Sequence, residues 1–195
     1  MTMIALSRSY ESVMGGPVLH AVDTAIFSLR YFMRCMACGF CHDACCDHGV
    51  DVDLGNVERL KALPRDFHDH IGVVVEDWFT DEVIGDPEFP GGLHVRSRVR
   101  TGACIFRSHA QRGCAIHAYC LEKGLDYHHF KPMVSVLFPV TFEGGVLTAS
   151  GEAADGSLIC GGSGPSLYDG ARDELSYYFG PDLVADLDQL KDSHA

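Results

Sequence analysis

The chain has 195 residues, 47% of them hydrophobic and 22% charged, an ordinary globular make-up at a size that buries its own core. Its net charge of −12 argues against nucleic acid, whose phosphates are neutralised by clustered Lys and Arg. No run approaches the roughly 18 apolar residues of a membrane span, and residues 1–16 lack the basic and apolar stretches of a secretion signal, so a cytoplasmic protein is expected.

Residues 1–34 are moderately apolar. Val18 to Phe32 fits a helix or a strand, and the β-branched and aromatic residues towards its end favour a strand. Residues 35–50 hold a cysteine cluster, with Gly39 and Gly49 as turn formers. A helix follows, capped by Asp53, with Val57, Leu60 and Leu63 at helical spacing and Pro64 as its stop. Residues 65–112 read as mixed loops and a hairpin. The segment 86–92 is rich in Pro and Gly, and His94 to Arg100 alternates before Thr101-Gly102 turns it back into Ala103 to Phe106. The alternating Arg96, Arg98 and Arg100 read as a solvated face.

A helix is expected over Cys114 to Lys123, stopped by Gly124. Ser135 to Thr141 and Val146 to Ala149 flank Glu143-Gly144-Gly145 as a second hairpin. Ser166 then caps a helix with Leu167, Ala171, Leu175 and Tyr178 on one face. Gly180 and Pro181 break it, and Leu183, Val184, Leu187 and Leu190 form a second stripe.

Nine cysteines, an odd number in a chain without a secretion signal, do not suit a disulfide framework. Five of them, Cys35, Cys38, Cys41, Cys45 and Cys46, fall within twelve positions. The first four run C-x2-C-x2-C-x3-C, the spacing with which bacterial ferredoxin loops present thiolates to iron, although Cys46 stands where those runs continue with Pro. Small buried thiols explain any one cysteine, but not five packed together. Cys104, Cys114, Cys120 and Cys160 are dispersed. Cys114 and His117 are three apart on the expected helix and share a face, a spacing suited to one metal. Cys120 fits a core position equally well. A cysteine nucleophile with a histidine base, Cys114 with His117 or Cys46 with His48, lacks a third orienting residue and an oxyanion hole in the sequence. Dinucleotide, phosphate-loop and C-x3-C-x2-C motifs are absent.

The ordered set Cys38-x2-Cys41-x3-Cys45-Cys46, Cys104-Ile-Phe, Arg112-Gly-Cys114-Ala-Ile-His117 and Lys131-Pro132-x5-Phe138-Pro139 resembles the zinc- or iron-chelating cysteine-cluster proteins. These are the YkgJ-like proteins and a related group of bacterial proteins. The set spans about residues 35–140, and Leu158-x-Cys160-x4-Pro165-Ser-Leu-Tyr extends the likeness into the tail. The resemblance implies a chelating role, and a similar motif in a flagellin lysine methylase points to an iron–sulfur cluster. One departure is Ser135, which stands where the family pattern places a cysteine after Lys-Pro.

These readings combine into an α+β protein, a single compact domain over 1–195, with irregular metal-binding loops, two small hairpins and C-terminal helices. The expected ligands come from Cys35, Cys38, Cys41, Cys45, Cys46, Cys104, Cys114, His117 and Cys160. The expected cofactor is an iron–sulfur cluster in a redox or accessory role, with zinc in a structural or metal-handling role as the alternative. The partner is then a redox or metal-delivery protein, with no nucleic acid and no membrane.

Overall fold

Alternating and helical apolar patterns both run through this chain, and the computed structural model, which describes residues 2–33, 36 and 38–193, is an α+β protein. In chain order the elements are β1 (Met3–Glu11), β2 (Val18–Asp23), α1 (Ala25–Ser28), β3 (Arg30–Tyr31), β4 (Asp51–Asp53), α2 (Leu54–Lys61) and α3 (Arg65–Ile71). There follow β5 (Ile84–Gly85), β6 (Leu93–Arg96), β7 (Val99–Arg100), β8 (Ala103–Cys104), α4 (Ala115–Lys123) and α5 (Met133–Leu137). The last are β9 (Val140–Glu143), β10 (Val146–Ala149), α6 (Gly151–Ala154), β11 (Gly161–Ser166), α7 (Leu167–Phe179) and α8 (Pro181–Ser193). Packing divides the chain into two compact units, one of Met1–Met33, Pro87–Pro90 and Leu137–Ala195, the other of Arg34–Asp86 and Gly91–Val136.

The first unit is built on a sheet of order β1-β2-β10-β9, antiparallel except for the parallel β2–β10 pair. The β9–β10 turn is fixed by Glu88, whose carboxylate accepts from the N–H groups of Gly144 at 2.9 Å and Gly145 at 2.8 Å. Ser166 caps α7 by accepting from the Asp169 N–H at 3.0 Å. The expected stripe of Leu167, Ala171, Leu175 and Tyr178 is buried, as are Leu183, Val184 and Leu187 of α8, and the two helices pack together. Tyr168 is buried between them. Its hydroxyl donates to Asp188 Oδ1 at 2.6 Å, and Arg172 grips the same carboxylate at 2.7 Å.

The second unit holds an aromatic core. Phe67 of α3 meets Trp78 edge-on at 5.7 Å and Tyr119 of α4 at 5.0 Å, and Trp78 meets Phe106 at 5.5 Å. Burying each such ring contributes about 1.5–3 kcal/mol. The Trp78 indole N–H, which burial would otherwise strand, donates to the Val73 carbonyl at 2.9 Å. A small sheet of order β4-β6-β5 and the β7–β8 hairpin complete the unit. The hairpin turns at Thr101-Gly102 as expected, with Val99 opposite Cys104 and Arg100 opposite Ala103. Arg96 bonds Asp51 at 2.8 Å and Arg98 bonds Asp81 at 3.0 Å, so two of the three alternating arginines are engaged by the chain's own carboxylates.

Several sequence expectations are corrected here. The strand expected through Phe32 stops at Asp23, whose side chain accepts from the Ala25 N–H at 3.0 Å and turns the chain into α1. The stretch 65–71, read as loop, is helix α3. Pro64 stands at its start, where a missing N–H costs nothing, Phe67 and Ile71 are buried one turn apart, and Gly72 closes it in the left-handed conformation. Ser135 to Leu137, read as the start of a strand, belong to helix α5, begun by N–H groups of Ser135 and Val136 bonding back to the Pro132 carbonyl. Strand β1 was not anticipated. Among the described residues no helix is long and apolar enough to cross a membrane.

The Asp188 carboxyl is held below its ordinary range, first by the Arg172 hydrogen bond, against a smaller penalty from burial, and then by Tyr168. A carboxyl lowered on folding contributes stability above its ordinary pKa of about 4, and loses it as pH falls through the folded value. Asp188→Asn is therefore expected to cost about 1 kcal/mol at pH 7, after allowance for solvent screening, with the gap closing in acid below about pH 4. Urea midpoints across pH check this, and a gap that widened in acid would contradict it.

Candidate metal centre

Thiols serve as metal ligands when deprotonated and brought together, so the first question is where the chain places its sulfurs. Cys35 lies outside the described residues. Cys38 and Cys41 are buried, 1% and 5% exposed, yet neither belongs to the aromatic core cluster of their unit. The two thiols instead shift each other's ionisation in opposite directions.

Their environment splits the pair. Burial opposes ionisation of Cys38 most strongly, but the Cys41 thiol, the N–H groups of Phe40 and Cys41 and the charge of Arg112 together pull it below its ordinary value. Burial, then the bond to Cys38, holds Cys41 above its ordinary value, against the Asp43 N–H and Arg112. One thiol of the pair is thus the readier thiolate and the other its donor.

The loop that carries the pair turns sharply. His42 and Asp43 both have positive φ, 53° and 60°, a conformation costly for residues with side chains. One helical turn, Ala44–Cys46, follows and leaves Cys45 exposed and Cys46 half-buried.

A segment distant in sequence closes over this loop. Arg112 donates through Nε and Nη2 to the Cys38 carbonyl at 3.2 and 2.9 Å, and through Nη2 to Cys41 Sγ at 3.6 Å. The same Nη2 lies 3.4 Å from Asp43 Oδ1. Gly113, at φ +84°, lies so close to Met36 that a Cβ would stand 3.0 Å from its Cγ. At the other end of the loop Arg107 bonds Asp47 at 2.8 Å. One stretch, residues 107–113, therefore grips the cysteine loop at both ends.

That stretch leads directly to Cys114, at the N-cap of α4 and half-buried. Its thiol is raised, first by burial and further by the nearby Cys104, while Lys131 and the N–H groups of His117 and Ile116 act the other way. Cys104, half-buried at the end of β8, is 3.3 Å from the Ser97 hydroxyl. Both pack against the aromatic core. His117 is stacked on Tyr127, centroids 4.3 Å apart, and Tyr127 in turn on His128 at 4.1 Å. Burial, then Lys131 and His128, lowers His117 to about 4, so the ring is neutral at pH 7, the form a metal ligand requires.

Two cysteines remain. Cys120 is fully buried in the core and pushed up to about 11, by burial and then by Cys114 and Asp126, which makes it a packing residue. Cys160 belongs to the first unit, where its carbonyl accepts from the Phe32 N–H at 2.8 Å. Ser135 is half-buried in α5. Among the described residues no three His, Cys, Asp or Glu side chains converge as a metal ion requires. Of the expected ligands, Cys38 and Cys41 influence each other, and so do Cys104 and Cys114.

Comparisons with family models, with curated proteins and with solved structures find no match to this chain, so the resemblance drawn from its cysteine pattern rests on the residues alone. The sequence reading passed over Asp43 and took Arg112 only as part of the Arg112-Gly-Cys114 motif, with no role of its own. The signal was a pair of opposite charges, one inside the cysteine run and one just before Gly113-Cys114, with nothing in the sequence to say that they meet.

The close approach at Gly113 yields a test. Gly113→Ala is expected to destabilise the protein by about 1–3 kcal/mol, from positive φ together with the crowding of Met36. An unchanged urea midpoint would mean that the segment does not press on the cysteine loop.

Proposed function

We propose that this chain is a thiolate metal-binding protein that holds an iron–sulfur cluster in a redox or accessory role. The observation that carries the reading is the Cys38–Cys41 pair. These two thiols are buried outside the aromatic core and influence each other's ionisation, and a guanidinium approaches Cys41 at 3.6 Å. A cysteine kept only for packing belongs among apolar side chains, as Cys120 is.

The donor chemistry fits a soft metal site, since clustered thiolates select iron–sulfur clusters and zinc over hard cations. In this proposal Cys38 and Cys41 supply two of the ligands. The others are drawn from Cys35, Cys45 and Cys46, with Cys104 and Cys114 as further candidates. A bound cluster would supply one-electron transfer, with a redox protein as partner. Cys160 remains a further candidate from the first unit, and a reducing compartment such as the cytoplasm suits the whole. The neutral His117, one turn from Cys114, favours zinc as the second reading, because three thiolates and an imidazole make a closed structural site.

Metal and acid-labile sulfide analysis, with a visible spectrum, on protein purified without oxygen tests the proposal. Iron and sulfide in similar amounts, both lost in a Cys38→Ser, Cys41→Ser double variant, is the expected result. Stoichiometric zinc without sulfide would decide for the second reading. Protein carrying neither would overturn both.

A further inference from the structure

Arg112 makes more contacts to the cysteine loop than a surface ion pair needs. It lies 74 residues along the chain from Cys38, yet two of its nitrogens converge on that residue's carbonyl, at 2.9 and 3.2 Å. The nitrogen that makes the shorter bond also reaches Cys41 Sγ at 3.6 Å and Asp43 Oδ1 at 3.4 Å. A planar guanidinium with donors in a fixed fork meets a carbonyl, a sulfur and a carboxylate at once, and a Lys ammonium on a flexible stem does not.

Asp43 shows that this contact is built in. Its side chain is buried, 6% exposed, and its backbone takes the costly positive φ of 60°. Its Oδ1 makes no hydrogen bond, so Arg112 Nη2 is the charge that offsets it. A buried carboxylate without its cation would be strongly destabilising, which ties the shape of the loop to Arg112. Arg107, by contrast, holds the far end of the same loop through Asp47 and touches neither thiol.

We infer that Arg112 is the positioning residue of the thiol pair: it closes the loop over residues 38–43 and keeps one positive charge against Cys41, so the protein's own contacts hold the two sulfurs in place. In the metal-bound protein the same guanidinium is then an outer donor to a ligand sulfur, the kind of group that governs how tightly a centre is held. This second step rests on the metal reading proposed above, and the first does not.

The test uses the full chain, reduced and stripped with a chelator, alkylated with iodoacetamide and followed cysteine by cysteine by mass spectrometry. Exposed Cys45 is the internal reference. In the wild-type protein Cys38 and Cys41 should react far more slowly than Cys45. Arg112→Gln should raise their rates relative to Cys45 by about tenfold or more, the scale of outer-shell effects. Arg112→Lys, which keeps the charge and loses the fork, should fall between, and Arg107→Gln should leave the ratio within about twofold of wild type. If Arg112→Gln gives no folded protein, the intermediate rise in Arg112→Lys decides.

The inference fails if stripped wild-type protein alkylates Cys38 and Cys41 as fast as Cys45, if the Arg112 variants leave the ratio unchanged, or if Arg107→Gln raises it as much. None of these outcomes touches the metal reading. Conversely, protein without metal in which the ratio still responds to Arg112 would remove the metal reading and leave this inference standing. In loaded protein, Arg112→Lys should release metal to a chelator about tenfold faster than wild type, and equal rates would overturn the outer-donor step.

Discussion

A thiol buried outside an apolar core gains little from its burial, so something else must hold it there. In the second unit that role falls to the guanidinium of Arg112. Around it meet the Cys38 carbonyl at 2.9 Å, the Cys41 sulfur at 3.6 Å and the Asp43 carboxylate at 3.4 Å. The loop accepts two residues at positive φ to bring these groups together. The contact also decides where Cys114 goes, since Arg112 and Gly113 lead straight into the N-cap of α4. One short stretch of chain thus contacts the cysteine loop and carries Cys114.

The aromatic core makes this arrangement tenable. Phe67, Trp78, Phe79, Phe106 and Tyr119 bury enough apolar surface to hold α3 and α4 in place, and Cys104 and Cys114 rest against that cluster. The irregular cysteine loop need not contribute to the core and is free to carry strain. Electrostatics follows the same division. The chain is acidic, and Arg96, Arg98, Arg107 and Arg112 are engaged by Asp51, Asp81, Asp47 and Asp43 within their own unit.

Elements defined by local chemistry were legible in the sequence. Helices α7 and α8 followed from a cap at Ser166, two apolar stripes and the Gly180-Pro181 break, and the β7–β8 and β9–β10 hairpins from their glycine turns. Helix α3 was missed because seven residues with two apolar positions carry too little periodicity. Strand β1 was missed because its buried residues, Leu6 and Tyr10, are four apart and its register shifts between Ala5 and Tyr10, which hides the alternation of a strand. In the site, the Cys38 and Cys41 pair was readable from spacing alone. Asp43 was not, and Arg112 was read only as part of the Arg112-Gly-Cys114 motif, because the role of each depends on a contact closed across the fold.

The central claim is that sulfur atoms of this chain hold a metal. X-ray absorption at the metal edge, on full-length protein purified without oxygen, reads the ligand atoms directly. The account predicts a first shell dominated by sulfur at about 2.3 Å, diminished when Cys38 and Cys41 are replaced by serine. A bound metal with only nitrogen and oxygen neighbours would contradict it.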